Sequence, residues 1–273
     1  MQKTIVMKYF HFLGIALTLF VSLFLSGCED HRLTSPTPAR FRLASYSFRQ
    51  NRFFSNAAFT YGPTGQVTSY TENVYNTKYN STLTYNEKGQ LIRIDRLPAE
   101  VSLSIASSYF VYEYNQAGNL IKRTKYQTKD ISNSPNTPYS VNQVVTFNYD
   151  GTAPYPSRIS QTQYQENGTV VDLAQTDLTY QDGNVVRSVT TYPTNSNLTP
   201  SVNTYQFDDK PNPYYNFIVL PDGFGAYPYN RNNITSSVSI LTYNSNGLIT
   251  RSIDNKNTDP AFQAVSAYTY EQY

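Results

Sequence analysis

The chain has 273 residues, of which 21 are Lys or Arg, 19 are Asp or Glu, 2 are His and 1 is Cys. This sparse and balanced charge argues against nucleic acid as a partner, because phosphate binding requires a surplus of Lys and Arg on one face. A single cysteine excludes an internal disulfide bond, so stability must come from the packed core and the sheet.

Residues 1–27 are predicted to form a secretory signal. Lys3 and Lys8 give a positively charged start, and residues 12–25 form an apolar run without charge. The run is too short for a membrane span, which needs roughly 20 apolar residues. It ends with a leucine, two small residues and the only cysteine: Leu25, Ser26, Gly27 and Cys28.

This ending resembles the lipobox of bacterial lipoproteins. The resemblance implies cleavage after Gly27, acylation of Cys28 and lipid anchoring in the bacterial outer membrane, where several acyl chains together give a stable anchor. The alternative is an ordinary signal peptide followed by a free cysteine. Residues 28–40 contain Pro36 and Pro38 without hydrophobic periodicity, which predicts a lipidated tether to a single domain at 41–273.

Glu29 and Asp30 directly follow the cysteine and resemble the surface-export signal of Bacteroidetes lipoproteins. This resemblance implies a domain exposed at the cell surface. In other bacteria an acidic residue at this place implies retention at the inner membrane. The sequence therefore leaves both a surface-exposed and a periplasmic orientation open.

Loss of the signal removes His11, so His31 is the only histidine of the mature chain. Ser-His and Cys-His nucleophilic pairs and the usual zinc sites are then unavailable, and we expect no enzyme, no metal and no cofactor. A glycosidase-type carboxylate pair is the alternative, because acidic residues occur in or beside the turns: Glu87, Glu113, Asp150, Asp182 and Asp208. Such positions favour turn capping and solvation of a sheet face.

A repeat extends over residues 59–273. Its clearest copies combine an aromatic residue, Asn, Gly and an aliphatic pair, at residues 83–92, 112–121 and 241–249. Shifted copies begin at Phe59 and Leu178, and degenerate copies at Phe147 and Tyr205 have prolines in place of the glycine turn. The key aromatic recurs every 24 to 36 residues, roughly the length of two strands and a connection.

Each copy is predicted to be a β-hairpin. The alternating residues end one strand, Asn bonds its own backbone two residues later, and Gly takes the left-handed conformation that returns the chain. The turn glycines are Gly65, Gly89, Gly118, Gly183 and Gly247. They should line one edge of the sheet, and the variable connections should line the other edge.

The 26 Tyr and 15 Phe, without runs of helix-forming residues, predict an all-β fold. The hairpins amount to about 14 to 16 strands in an antiparallel meander, which should form a strongly curved sheet or a barrel. A first strand at residues 41–48 and a last one at 267–273 should pair and remove both free edges. A transmembrane barrel is the alternative, but Arg93 and Arg96 put charge on both faces of one strand.

The pattern of Tyr-Asn or Tyr-Asp, Gly and Leu resembles the YD repeats of RHS-type proteins. With the lipobox, it resembles Bacteroidetes outer-membrane lipoproteins with such repeats, for which a porin-like curved sheet is the implied fold. Asp follows the aromatic only at Asp150 and Asp208. The sequence also lacks the RHS core terminus and a toxin domain, so we do not expect a shell that encloses a toxin.

The longest interruption of the repeat, residues 208–233, is rich in aromatic and amide side chains. Exposed aromatic rings beside amides suit sugar rings or a protein surface. The candidate ligand-binding residues are Tyr214, Tyr215, Phe224, Tyr227, Tyr229 and Asn230. The alternative is a lid folded over the end of the sheet.

These patterns together predict a non-enzymatic, lipid-anchored envelope protein that binds a glycan or a protein partner. The alternative, from a different class, is a periplasm-facing carrier of an apolar ligand or a purely structural envelope protein.

Replacing the acylated residue tests the anchor. In a Cys28→Ser variant we expect the protein to leave the membrane fraction and to lose incorporation of radiolabelled palmitate, because the thiol that receives the lipid is gone. A Ser26→Ala variant keeps a small residue before the cysteine and should retain both properties. A membrane-bound, labelled Cys28→Ser protein would contradict the prediction.

Overall fold

A computed structural model describes residues 33–34, 40–100, 106–128, 138–165, 167–194, 197–220, 227–255 and 258–273. The predicted signal, the lipobox with Cys28 and most of the tether lie outside these ranges. The regular secondary structure of the described part is almost entirely β-strand, which confirms the predicted fold class. Its helices are two short 3-10 turns, Tyr227–Tyr229 and Pro260–Phe262.

The strands follow the repeat. In chain order they are β1 (Leu33–Thr34), β2 (Arg40–Gln50), β3 (Phe53–Tyr61), β4 (Val67–Val74), β5 (Thr77–Tyr85), β6 (Leu91–Pro98), β7 (Ser108–Tyr114), β8 (Leu120–Thr128), β9 (Tyr139–Asn148), β10 (Arg158–Tyr164), β11 (Val170–Gln181), β12 (Asn184–Thr191), β13 (Ser201–Thr204), β14 (Gln206–Pro211), β15 (Asn232–Thr235), β16 (Ile240–Tyr243), β17 (Ile249–Asp254) and β18 (Ala264–Gln272). The short β1 pairs with the start of β2, inside the segment predicted to be an irregular tether.

The glycine turns have the predicted geometry. Between β5 and β6, the side-chain oxygen of Asn86 accepts hydrogen bonds of 3.0 Å from the backbone N–H groups of Lys88 and Gln90. Gly89 has a φ of 76°, in the left-handed region that residues with a Cβ rarely adopt. The other turn glycines also have a positive φ: Gly65, Gly118, Gly183 and Gly247.

A β-bulge follows each glycine turn. In the β5–β6 hairpin Tyr85 pairs with Leu91 while Thr84 pairs with Arg93, so that Ile92 is an extra residue. The same register shift occurs in the hairpins whose first strands contain Tyr61, Tyr114, Tyr180 and Tyr243. The extra residue offsets the alternation of side chains by one position and so decides which charges of the second strand face inward.

Sixteen strands form one antiparallel sheet, in the order β13-β12-β11-β10-β9-β8-β7-β6-β5-β4-β3-β2-β18-β17-β16 with β1 beside β2. The pairing of β2 with β18 confirms that the first and last long strands meet. The expected removal of both edges is wrong, because this pairing lies inside the sheet. The sheet is open, and its edges are β13 and β16.

The insertion between these edges explains why the sheet stays open. The degenerate copy that begins at Tyr205 forms no hairpin of the large sheet, and its strand β14 pairs with β15 in a separate two-stranded sheet. Pro211 and Pro213 lack the N–H that a strand within a sheet must donate. The chain therefore leaves the meander here instead of adding the next hairpin.

The repeated tyrosine links each hairpin to its neighbour. Tyr85, at the end of β5, donates its hydroxyl hydrogen to the backbone carbonyl of Val67, at the start of β4, over 2.7 Å. Equivalent bonds of 2.6–3.0 Å join Tyr61 to Leu43, Tyr114 to Leu91, Tyr149 to Leu120, Tyr180 to Pro156 and Tyr270 to Ile249. They lie near the glycine-turn edge, where no backbone connects one hairpin to the next.

The sheet curls around the insertion. Tyr214 packs against Tyr46 of β2 and Tyr268 of β18, with ring centroids 6.2 and 5.8 Å away. Asn230 accepts a hydrogen bond from a backbone N–H of β12 and is itself bonded to Asn212, two residues before Tyr214. In the sheet order β12 and β18 are eleven strand spacings apart, about 50 Å in a flat sheet. Only a strongly curled sheet brings both strands to these neighbouring residues.

Residues 212–220 and 227–230, which we call the plug, complete the core on the concave side. Phe217 of the plug meets Phe59 of β3 edge to face at 5.0 Å. Phe217 is fully buried together with Ile94 and Phe110 of the sheet. The core thus combines the inner face of the repeat strands with the segment that interrupts the repeat.

Charges lie on both sides of the sheet. Half-exposed ion pairs such as Arg158 with Asp177 stand apart from the cavities inside the sheet, whereas Arg96 and Arg123 line those cavities. Across the ranges described above, no helix is long and apolar enough to span a membrane.

Removing one hydroxyl tests the tyrosine links. We expect Tyr85→Phe to lower the free energy of unfolding by about 1 kcal/mol, because it removes one hydrogen bond and leaves a carbonyl unpaired. Urea denaturation measures the change. Tyr75→Phe is the matched control, since the Tyr75 side chain is 60% exposed and should contribute little.

The same hydrogen bonds make the free energy of unfolding depend on pH. Burial raises the pKa of the six linking tyrosines, that of Tyr149 to about 12. Because the folded-state pKa exceeds the unfolded value of about 10, this stabilisation is complete below that pH and is lost as the pH rises through the raised values. Tyr85→Phe should therefore have its full cost at neutral pH and a smaller cost in strong alkali.

Candidate ligand-binding site

The plug leaves two cavities inside the curled sheet. The first, of about 680 Å³, lies between strands β2, β3, β4 and β6 on one side and residues 233–241 with β17 and β18 on the other. The second, of about 480 Å³, is lined by β7 to β13 and the plug. Leu220 of the plug lines both cavities, so the plug forms the partition between them.

Aromatic and aliphatic side chains form most of the wall of the first cavity. Phe48 and Phe53 meet edge to face at 5.6 Å, and Tyr46 and Tyr268 pack against Tyr214 of the plug. Burial raises the pKa of Tyr46, a hydrogen bond with Ser55 opposes that rise, and the phenol stays neutral. Aliphatic residues complete the wall: Val74, Leu220, Ile234, Val238, Leu241 and Ile249.

One ion pair lies in this wall. Glu72 of β4 and Arg96 of β6 form a largely buried salt bridge, and the Arg96 guanidinium lies 3.7 Å from the centroid of the Tyr79 ring. Each charge is compensated by the other, which is what a buried ion needs. On the opposite side Asp254 accepts a hydrogen bond from the Ser239 hydroxyl. The wall therefore suits an apolar molecule that carries a small polar group.

The structure describes the side chains of four of the six candidate residues of the interruption: Tyr214, Tyr215, Tyr229 and Asn230. Tyr214 is only 6% exposed and Asn230 is 0% exposed, so the expectation that they are exposed is wrong. The hydroxyls of Tyr215 and Tyr155 lie 2.5 Å apart, and the Tyr229 ring packs 6.5 Å from that of Phe147. Phe224 and the side chain of Tyr227 lie outside the described part. The described members belong to a segment that packs into the core on the concave side, whereas the lid alternative placed this segment over the end of the sheet.

Asn230 fixes the plug to the sheet. Its side-chain oxygen accepts a hydrogen bond of 2.8 Å from the backbone N–H of Val185, and its carbonyl accepts one of 2.8 Å from the Asn212 amide. The Asn212 side-chain oxygen in turn accepts a hydrogen bond from the backbone N–H of Tyr214. These three contacts orient Tyr214 toward the first cavity.

A second group of aromatic residues, which we call the outer cluster, lies on the other face of the sheet. Tyr109 of β7 and Tyr126 of β8 stack at 4.6 Å, and Tyr139 of β9 meets Tyr109 edge to face at 4.9 Å. The Arg93 guanidinium lies 4.0 Å from the centroid of the Tyr109 ring. Sequence reasoning missed this cluster, although Tyr109 alternates with the buried Phe110, a period-two signal for the opposite face.

Three of the acidic residues considered for catalysis are engaged in hydrogen bonds or ion pairs: Asp150, Glu113 and Asp208. Asp150 accepts a hydrogen bond of 2.8 Å from Ser157 across its turn, and Glu113 pairs with Lys122 at 2.8 Å. Asp208 accepts hydrogen bonds from the backbone N–H groups of Lys210 and Asn233. Within the described ranges no three His, Cys, Asp or Glu side chains are grouped closely enough to hold a metal ion.

Comparison with known proteins finds only low sequence identity and low structural similarity. No protein-family model and no curated protein matches the chain. A porin-like protein from Bacteroides uniformis is 12% identical, with a TM-score of 0.49 over 84% of this chain and 98% of that one. A mutant Tc holotoxin pore from Photorhabdus luminescens is 14% identical, with a TM-score of 0.21 over 81% of this chain and 13% of that one.

Truncating Asn230 tests the role of the plug. We expect Asn230→Ala to lower the free energy of unfolding by about 1–3 kcal/mol, because the backbone N–H of Val185 loses its partner inside the protein. Denaturation in urea measures the loss. Asn203→Ala removes an exposed amide from edge strand β13 and should cost far less. Equal costs would contradict the anchoring role of Asn230.

Proposed function

We propose that this protein is a non-enzymatic binding protein of the bacterial cell envelope that carries an apolar small molecule inside its curled sheet. The observation that supports this function best is the first cavity, with a volume of about 680 Å³ and a largely apolar wall. Small-molecule sites are typically concave and apolar with a few polar groups, within roughly 300–1,000 Å³. The Glu72–Arg96 pair supplies such a polar group.

The predicted lipid anchor would serve the same carrier function. Acylated Cys28 holds the protein at the outer membrane, and the tether lets the domain reach the adjacent space. A carrier in this position receives apolar molecules from the bilayer or passes them to it. The amphipathic wall of the first cavity suits such cargo, because it offers aromatic surface beside one compensated ion pair.

A second candidate function is the binding of a glycan or a protein partner at the outer cluster. The supporting observation is the stacked pair of Tyr109 and Tyr126 beside Tyr139, which is 40% exposed. Stacked tyrosines with a polar margin suit sugar rings or a protein surface. In this function the interior would be closed and the outer face would make the contacts.

A fluorescent probe tests the carrier. We expect a soluble form beginning at Thr34 to copurify with extractable lipid and, once stripped, to bind the uncharged fluorophore N-phenylnaphthylamine saturably. Ser252→Phe should weaken the binding by about tenfold or more, since Ser252 lines the first cavity and the new ring fills it. Titration of the probe fluorescence measures both affinities.

Thr71→Phe is the matched control. Thr71 is exposed on β4 between Tyr70 and Glu72, which both line the first cavity, so its side chain faces away from it. This variant should bind the probe like the unmodified protein. Absence of both lipid and saturable probe binding would overturn the carrier function and favour the outer cluster.

A further inference from the structure

The second cavity differs from the first in the chemistry of its wall. Five neighbouring strands, β9 to β13, each contribute a polar side chain to it: Gln143, Gln161, Thr176, Thr190 and Asn203. Nearer the turns, the same inward rows continue with Phe147, Ile159 and Leu178. The wall is therefore apolar at the turn end and lined with amides and hydroxyls farther from it.

A cation stands in this polar region without a counter-charge. Arg123 of β8 lines the second cavity, where one terminal nitrogen donates a hydrogen bond of 3.2 Å to the Gln143 side chain. Its Nε atom is buried and has no hydrogen-bond partner. In the described part of the chain Arg123 forms no salt bridge, and no Asp or Glu lines the second cavity.

Arg123 is partly buried, and of its guanidinium nitrogens the Nε is the one that is buried without a partner. Even partial burial removes some of the water around a charge, and an opposite charge with hydrogen bonds offsets that loss. The two inward arginines of the sheet differ in this respect, since Arg96 is paired with Glu72 in the first cavity. Gln143 accepts one hydrogen bond from Arg123, and the residues that line the second cavity supply no negative charge.

The side chains around Arg123 indicate the chemistry of a ligand that would pair with it. A guanidinium offers a planar edge of N–H donors that matches a carboxylate. The surrounding amides and hydroxyls both donate and accept, which suits an array of ligand hydroxyl groups. Tyr112, Tyr205 and Tyr229 also line the second cavity and provide ring surface. Burial raises the pKa of Tyr229 and Arg123 opposes that rise, as expected for a cation near the phenol.

We infer that the second cavity is a binding site for an acidic sugar of the uronic acid type, with Arg123 pairing with the sugar carboxylate. Gln143, Gln161 and Thr176 bond the hydroxyl groups of the ring. The cavity, at about 480 Å³, lies within the roughly 300–1,000 Å³ range of small-molecule sites. The site lies across the plug from the first cavity and does not depend on the carrier function.

Calorimetric titration of the mature lipidated chain in detergent tests the site. We expect glucuronate to bind about ten- to hundredfold more tightly than glucose, because a hydrogen-bonded charge pair contributes that much. Acetate, which has the charge without the ring, should bind as weakly as glucose. Equal affinity for glucuronate and glucose would overturn the inference, and so would acetate binding as tight as that of glucuronate.

Arg123→Met should abolish the preference for glucuronate. The same variant should unfold at the same temperature or higher, since it removes an uncompensated charge, and this readout separates loss of binding from loss of fold. Arg158→Met, at an ion pair in which Arg158 is 49% exposed, is the matched control and should keep the preference. Gln161→Leu should weaken glucuronate and glucose alike. Retention of the preference in Arg123→Met would overturn the inference.

Discussion

The hydrogen bond from the repeat tyrosine to a backbone carbonyl of the neighbouring hairpin is the contact on which the architecture depends. Consecutive hairpins are joined covalently only at the edge opposite the glycine turns. At the turn edge, Tyr85 and its five equivalents hold neighbouring hairpins together through their side chains. The ring of each tyrosine fills the concave side while its hydroxyl pairs a strand end. Inward packing and strand pairing thus come from the same residue, and the sheet curls toward the side on which these rings lie.

The plug, which divides the interior of the curled sheet, forms where the repeat is interrupted. Tyr243 has no preceding hairpin of the repeat to bond, and its hydroxyl instead donates to Asp208 of the insertion. Asn184 at the start of β12 bonds Asn232 of the insertion at 3.0 and 2.9 Å. The insertion is therefore held near both open sides of the sheet, and the plug that it carries divides the concave space. The loss of one hairpin and the formation of two cavities have a single cause in the sequence.

The sequence was sufficient for features that depend on local chemistry. Asn86 and Gly89 form a turn because of their own side-chain and backbone preferences, and the strand pattern follows the repeat. The burial of Tyr214 and Asn230 was not predictable, because a loop rich in aromatics and amides has the same composition whether it faces solvent or a sheet. The bulges also prevented the sequence from predicting which charged side chains face inward. Whether Lys122 or Arg123 faces inward depends on one extra residue, Ile121, whose position only the strand register reveals.

The two arginines that face the interior of the sheet differ in whether the fold itself neutralises their charge. Both lie on strands that follow a glycine turn, and both are turned inward after a bulge. Arg96 meets Glu72, so the charge is neutralised within the fold and the surrounding wall is mostly apolar. Arg123 meets an amide, and its Nε remains unpaired beside a row of hydroxyls and amides. The Arg96 charge is accounted for by the fold alone, whereas Arg123, partly buried with a buried and unpaired Nε, leaves a positive charge at the cavity wall for a ligand to neutralise.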